Sequence, residues 1–137
     1  MRFMLDTNMC IYLIKRQPKE ALLRLKSAAA SGVCLSSITV CELEYGVKKS
    51  KQVEQNAVSL MRFLTGFGLV PFDDSSARHY GEIRAALEAV GKPIGNMDML
   101  IAAHARALGL VLVTNNEREF SRVEGLLLEN WVKHKAD

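Results

Sequence analysis

Residues 110–116 have the sequence LVLVTNN, and this stretch decides the fold class. Four aliphatic residues in a row, followed at once by polar residues, are typical of a central parallel strand that is buried on both faces. The segment before it, 98–108, has the apolar spacing of a helix, which Gly109 ends. Short apolar runs alternate with such segments along the chain, so the sequence predicts an α/β fold with a parallel sheet.

The same patterns predict the remaining elements. Pro71 places the third strand at an edge of the sheet, because proline cannot donate a hydrogen bond within a sheet. Further strands are expected at residues 2–5, 33–35, 69–72 and 126–128. Helices are expected at residues 8–15, between Pro18 and Gly32, at 39–49, at 53–64, at 117–122, and from the caps at 73–75 to Gly91, with Tyr80, Ile83, Leu87 and Val90 on the apolar face of that last helix.

Length and composition indicate one globular domain spanning residues 1–137, with 49% apolar and 24% charged residues. No apolar run approaches the roughly 18 residues that span a membrane, and the first residues lack the apolar run of a signal peptide. A cytoplasmic location is therefore expected. The net charge of +3 is too small to establish nucleic-acid binding. The basic clusters at 15–19 and 48–51 are either solvated helix ends or phosphate contacts.

The cysteines and histidines do not have the spacing of metal ligands. The three cysteines are expected to remain free and to pack as small apolar side chains; they are Cys10, Cys34 and Cys41. The three histidines are isolated and are expected to have ordinary structural or surface roles; they are His79, His104 and His134. Any metal site in this chain is therefore expected to use oxygen ligands.

Acidic side chains stand where the predicted strands end. Asp6 follows the first strand, Glu42 lies after the second, and Asp98 opens the helix before the central strand, which Asn115 and Asn116 follow. The carboxyl ends of parallel strands share one edge of a sheet, where ligands bind. Carboxylates gathered there repel one another unless a cation is present, and oxygen ligands suit Mg²⁺ or Mn²⁺. Such a site typically serves phosphoryl chemistry.

Each of these acids also has a structural interpretation. Asp6 is a possible N-cap of the first helix. Glu42 lies three residues after Thr39, the spacing of a capping box. Asp98 is able to complement the dipole of a helix that Asn96 caps. One acid taken alone is a weak signal, but three of them at strand ends favour a shared site.

At these residues the sequence resembles the PIN-domain family, and within it the VapC-type toxins. Four motifs carry the resemblance in order along nearly the whole chain: 4–8 (MLDTN), 36–46 (SSITVCELEYG), 93–105 (PIGNMDMLIAAHA) and 112–120 (LVTNNEREF). Because the four occur together at the right spacing, the match is specific.

The resemblance implies a three-layer α/β/α fold with a central parallel sheet of four or five strands. It implies Mg²⁺ or Mn²⁺ held by Asp6 and Asp98, with Glu42 in the same pocket. It implies an endoribonuclease that cleaves structured RNA, often transfer RNA, and thereby stops translation. A homodimer and a small cognate antitoxin of the VapB type are also implied. The alternative is a non-catalytic PIN-like module that only binds RNA or a partner, although such a module would normally have lost one of these three acids.

The chain departs from the family pattern at Asn116, where many members have aspartate. Asn116 is a candidate fourth metal ligand, and Glu119 is a candidate site residue that could supply the missing carboxylate. Their spacing also fits a helix capping box with no chemical role. The apolar residues Met61, Phe63 and Phe67, expected on one helix, exceed what one core needs and favour the dimer.

Overall fold

Five short parallel strands form the central sheet of the computed structural model, which describes residues 1–132. The strand order is β3-β2-β1-β4-β5, and every neighbouring pair is parallel. The strands are β1 (Phe3–Leu5), β2 (Val33–Ser36), β3 (Gly68–Val70), β4 (Val111–Val113) and β5 (Leu127–Glu129). This confirms the predicted strands and the position of the third strand at an edge. His134 lies outside the described residues.

Helices cover both faces of the sheet. They are α1 (Thr7–Ile14), α2 (Lys19–Ala28), α3 (Ser37–Lys48), α4 (Val53–Leu64), α5 (Asp74–Ala89), α6 (Asn96–Leu108) and the single turn α7 (Glu117–Phe120), with a 3₁₀ turn at Ala29–Ser31. Side chains alternate along β1, so Phe3 and Leu5 pack against α1 to α4 while Met4 packs against α5 and α6. The fold is therefore the three-layer α/β/α arrangement that the resemblance implies.

Glycine and the caps set several helix ends. Gly109 follows α6 in the left-handed conformation with φ 67°, which confirms its predicted role. Helix α3 begins two residues before the predicted start at Thr39, because Ser36 caps it through a hydrogen bond from the backbone N–H of Ile38 at 3.1 Å. Helix α6 likewise begins two residues before Asp98, with Gly95 as its N-cap.

Three expectations about apolar residues are wrong in detail. Cys41 is exposed on α3, whereas Cys10 and Cys34 are buried and free as predicted. Val90 is 66% exposed because α5 has already ended and its side chain no longer lies on the buried face. Phe67 lies beyond the end of α4 and packs with Phe63 against the core. No helix within residues 1–132 is long and apolar enough to cross a membrane.

Candidate active site

Asp6 stands at the junction of β1 and α1, and only 3% of it is exposed. Its backbone N–H donates to the carbonyl of Val113 at 3.0 Å, which fixes it beside the end of β4. Its carboxylate caps α1 by accepting the backbone N–H of Met9 at 2.8 Å. The capping interpretation is therefore correct for one carboxylate oxygen, and the cap also holds the side chain at the carboxyl edge of the sheet.

Glu42 lies half-buried on α3, and the hydroxyl of Thr7 donates a hydrogen bond to its Oε1. The predicted capping box between Thr39 and Glu42 is absent, because Ser36 is the cap and Thr39 already lies inside the helix. The side chain of Glu42 therefore points toward the residue that follows Asp6.

Asp98 occupies the first turn of α6 and is partly buried. The predicted cap by Asn96 is wrong, because Asn96 is the first residue of the helix and Gly95 caps it without a side chain. A Cβ on Gly95 would lie 3.5 Å from Oδ2 of Asp98, so glycine leaves the carboxylate unhindered on that side. Asp98 thus has no side-chain capping task of its own.

The charges of these acids act on one another. Burial raises the pKa of Asp6 from 3.8 to about 6; the Thr114 side chain and the N–H of Met9 oppose this rise, and the charges of Asp98 and Glu42 add to it. Burial also raises the pKa of Asp98 to about 6, helped by the charges of Glu42 and Glu119. The four candidate acids lie on four different helices or helix caps, and the charge of each one acts on, or is acted on by, at least one of the others.

Asn116 and Glu119 contact each other but do not form the predicted capping box. Nδ2 of Asn116 donates to Oε1 of Glu119 at 2.6 Å, and the Asn116 side chain makes no cap to the helix backbone. The backbone N–H that Glu119 would have capped donates instead to Oγ1 of Thr114 at 2.8 Å. A side-chain amide thus holds Glu119, whose charge contributes to the raised pKa of Asp98.

The donor set fits a hard cation held by one or two carboxylates. Within residues 1–132, no three Asp, Glu, His or Cys side chains are close enough to ligate one metal ion together. Mg²⁺ commonly takes one or two carboxylates and completes its shell with water and substrate oxygens. The buried Asp6 and the partly buried Asp98 match that need, since a cation would stabilise the charged forms that burial disfavours.

Sequence reasoning missed two hydroxyl groups of the site. Thr7 orients Glu42, and Thr114 acts on Asp6 and on the turn that follows β4. Both lie inside the recognised motifs, and a hydroxyl next to a strand-end acid is the signal that could have identified them. Asn115 has a structural role: it donates to the hydroxyl of Tyr12 at 3.0 Å and accepts from Asn130 at 3.2 Å.

Comparison with known proteins agrees with this arrangement. The PIN domain model matches residues 3–126. Ribonuclease VapC2 of Haemophilus influenzae is 48% identical over 132 residues, covering 96% of this chain and 99% of that protein. The tRNA(fMet)-specific endonuclease VapC of Shigella flexneri is 44% identical, covering 96% and 98%.

Among solved structures, VapBC2 from Rickettsia felis bound to a DNA fragment from its promoter contains a chain that is 45% identical to this one. The two superpose with a TM-score of 0.91 over 96% of this chain and 99% of that one. A match of this length and identity extends through all four acid-bearing segments. The chain belongs to the PIN-domain family, and within that family to the VapC-type toxins.

Proposed function

We propose that this chain is an endoribonuclease dependent on Mg²⁺ or Mn²⁺ and the toxin of a toxin–antitoxin pair. One observation supports the proposal: the charges of Glu42 and Asp98 act on Asp6, at the end of β1, in a chain 44% to 48% identical to named VapC nucleases. The buried Asp6 and the partly buried Asp98 have pKa values raised to about 6, which favours a cation that would stabilise their charged forms.

Each of these residues would have a separate role in phosphodiester hydrolysis. The bound cation would supply positive charge to a phosphate oxygen and lower the pKa of a water molecule. Asp6 and Asp98 would hold that cation, and the N–H of Met9 keeps Asp6 in place. Glu42, oriented by Thr7, would accept a proton from the attacking water. Glu119, held by Asn116, would add negative charge near Asp98.

The substrate class follows from the relatives and from the groove beside the acids. One relative is named for cleavage of tRNA(fMet), so structured RNA, and transfer RNA first, is the substrate we assign. Lys15 lines the same groove as Glu42, and its ammonium group would contact a phosphate of RNA bound there. Because the net charge of +3 is small, a single cation near the site matters more for binding a phosphate than the electric field of the whole protein.

The partners follow the same reasoning. Neighbouring solved structures are VapBC toxin–antitoxin complexes, so we assign this chain a VapB-type antitoxin. An arginine fork of that antitoxin would neutralise the acidic pocket and so block cation binding. We also assign it a homodimer, a single domain over residues 1–137 and a cytoplasmic location. The alternative, a non-catalytic module, is disfavoured because Asp6, Glu42 and Asp98 are all present.

The decisive experiment is cleavage of a transfer RNA pool by the purified chain with Mg²⁺, with Mn²⁺ and with excess EDTA. We expect cleavage with either metal and none in EDTA. Asp98→Asn should abolish cleavage, because the amide lacks the charge that a cation needs, while circular dichroism stays native.

Asp74→Asn is the matched control, since Asp74 is an exposed acid in the first turn of α5, as Asp98 is in the first turn of α6. It should cleave like the wild type. Cleavage that persists in EDTA, or in Asp98→Asn, would refute the metal mechanism. RNA binding without cleavage under every condition would instead favour the non-catalytic module.

A further inference from the structure

A buried hydrogen bond joins the two helices that carry Glu42 and Asp98. Nδ1 of His104 on α6 lies 2.7 Å from Oγ of Ser36, the residue that caps α3. Both side chains are buried, with His104 only 1% exposed and Ser36 not exposed at all. His104 therefore cannot reach a bound RNA, and its contribution has to pass through the protein.

Each partner of this bond has a further contact. Oγ of Ser36 also accepts the backbone N–H of Ile38 at 3.1 Å, and the imidazole tautomer decides whether Ser36 donates its proton to Nδ1 of His104 or accepts one from it. Phe72 packs edge-on against the imidazole, with ring centroids 5.5 Å apart. The backbone N–H of Phe72 donates to the hydroxyl of Ser37 at 3.1 Å, which fixes this segment to the same end of α3.

On each helix, the residue that forms the bond and the acid are separated by the same number of residues. Ser36 precedes Glu42 by six residues, and Asp98 precedes His104 by six residues. Six residues advance a helix by roughly 9 Å. The bond between Ser36 and His104 therefore lies roughly 9 Å along each helix from the acid that the helix carries.

We propose that Ser36 and His104 are positioning residues that fix the separation of Glu42 and Asp98 against their mutual repulsion, and that they thereby set the affinity for the catalytic cation. The proposal rests on the proposed function. Two like charges in a partly buried pocket push their helices apart. The cross-helix bond opposes that movement, so Asp98 stays where it can hold the cation together with Asp6.

Titration with Mn²⁺, followed by the electron paramagnetic resonance signal of free Mn²⁺, tests this without RNA. His104→Leu introduces an apolar side chain of similar size that cannot form the hydrogen bond to Ser36. His104→Asn loses the ring but keeps a polar atom on Cγ, where Nδ1 stands. We expect His104→Leu to bind Mn²⁺ about tenfold more weakly than the wild type, as second-layer partners of metal sites do. We expect His104→Asn to recover most of that affinity.

Melting temperatures in EDTA separate positioning from simple stability. His104→Asn leaves a cavity beside Phe72, so it should melt no higher than His104→Leu, yet bind Mn²⁺ more tightly. Ser76→Ala is the control: Ser76 is a buried hydroxyl whose bond to Asp73 at 3.0 Å stays within the N-terminal cap of α5. It should lower the melting temperature and leave Mn²⁺ affinity unchanged.

The outcomes distinguish this proposal from the proposed function. Wild-type protein that binds no Mn²⁺ would overturn both. Wild-type binding with unchanged affinity in His104→Leu, or affinity that follows melting temperature across all three variants, would overturn the positioning role alone. A higher Mn²⁺ affinity in His104→Asn than in His104→Leu would support the positioning role.

Discussion

The carboxyl group of Asp6 has to satisfy two demands that conflict without a cation. Its helix needs an ionised cap, and the N–H of Met9 at 2.8 Å favours the charged form. Burial and the nearby charges of Asp98 and Glu42 favour the neutral form, and together they raise its pKa to about 6. A bound cation removes the conflict, because it offsets the charge while leaving the cap in place.

This conflict predicts a pH dependence of stability. Asp6 and Asp98 have pKa values of about 6 when folded, above their ordinary value of 3.8, so the folded state binds protons more tightly. The stability that these two groups contribute is complete below pH 3.8 and is lost as the pH rises to about 6. Mg²⁺ competes with those protons, so it should raise the melting temperature more at pH 7.5 than at pH 5.

Differential scanning fluorimetry with and without Mg²⁺ at the two pH values measures this increment. Asp98→Asn is the control and should show a small increment at both, since it cannot form the full site. The metal-free variant should also be more stable than metal-free wild type at pH 7.5, by about 1 kcal/mol, because one repelling charge is gone. An equal Mg²⁺ increment at both pH values in the wild type would contradict the linkage.

Glu119 offers a second test at the level of one charge. Glu119→Gln keeps a polar partner for Asn116 but removes a charge that acts on Asp98. We expect weaker Mg²⁺ affinity and slower RNA cleavage at a nearly unchanged melting temperature, since the capping box that would have tied this residue to stability is absent.

Glu117→Gln provides the comparison on the same short helix. Glu117 is exposed and bonds Asn130 at 2.9 Å, away from the acids. Its substitution should leave Mg²⁺ affinity and cleavage at the wild-type level. If Glu119→Gln also kept both at that level, Asp6, Glu42 and Asp98 would be the whole acidic site.

At the scale of elements, the sequence predicted those strands and helix ends that depend on residues close together in the chain. The aliphatic run at 110–113, Pro71 at an edge and Gly109 after α6 each act through their own backbone, so the sequence identifies them directly. Helix starts were less accurate where several candidate caps follow one another. Ser36, Ser37 and Thr39 all can cap a helix, and the end of β2 selects Ser36.

The site was predictable as a set of acids but not as a set of contacts. Strand ends placed Asp6, Glu42 and Asp98 at one edge, because parallel strands share a direction. The bond from Thr7 to Glu42 joins residues 35 positions apart, and that from His104 to Ser36 joins residues 68 apart. The spacing of residues along the sequence does not predict such hydrogen-bonded pairs, because they depend on how the helices pack on the sheet.

Arg24 on α2 joins three elements, and its removal should be costly. Its guanidinium pairs with Glu129 of β5 at 2.7 Å and lies over the rings of Phe3 and Trp131. Arg24→Ala should lower the free energy of unfolding by about 1–2 kcal/mol, measured by urea denaturation, mainly through lost packing of the planar group. Arg24→Lys should recover less than half, because an ammonium cannot stack and fork in the same way.

Arg62 serves as the control for this prediction. It is exposed on α4, and its replacement by alanine should change stability by less than about 0.5 kcal/mol. If Arg24→Ala and Arg62→Ala had the same small effect, the cluster around Trp131 would be a surface arrangement without energetic weight.

At the scale of the whole molecule, both faces of the sheet are covered by helices, but the outer surface of those helices still carries apolar side chains. Tyr45 on α3, Val58 and Met61 on α4, and Leu69 on β3 are exposed. The structure removes Phe63 and Phe67 from this group, since both pack against the core. The case for a dimer therefore rests on the exposed residues near edge strand β3, together with the family resemblance.

We expect the chain to form a homodimer, with the surface around Met61 and Leu69 buried in it. Multi-angle light scattering at micromolar concentration should give twice the mass of one chain. Met61→Asp should shift the mass toward that of one chain, because a carboxylate cannot be buried in an apolar contact without a partner. Leu23→Asp is matched in kind, since Leu23 is 65% exposed on α2 and Met61 is 61% exposed on α4. It should leave the mass at the dimer value. A wild-type mass of one chain would contradict the dimer. If the dimer persisted in Met61→Asp but not in Leu23→Asp, the interface would involve α2 instead of α4.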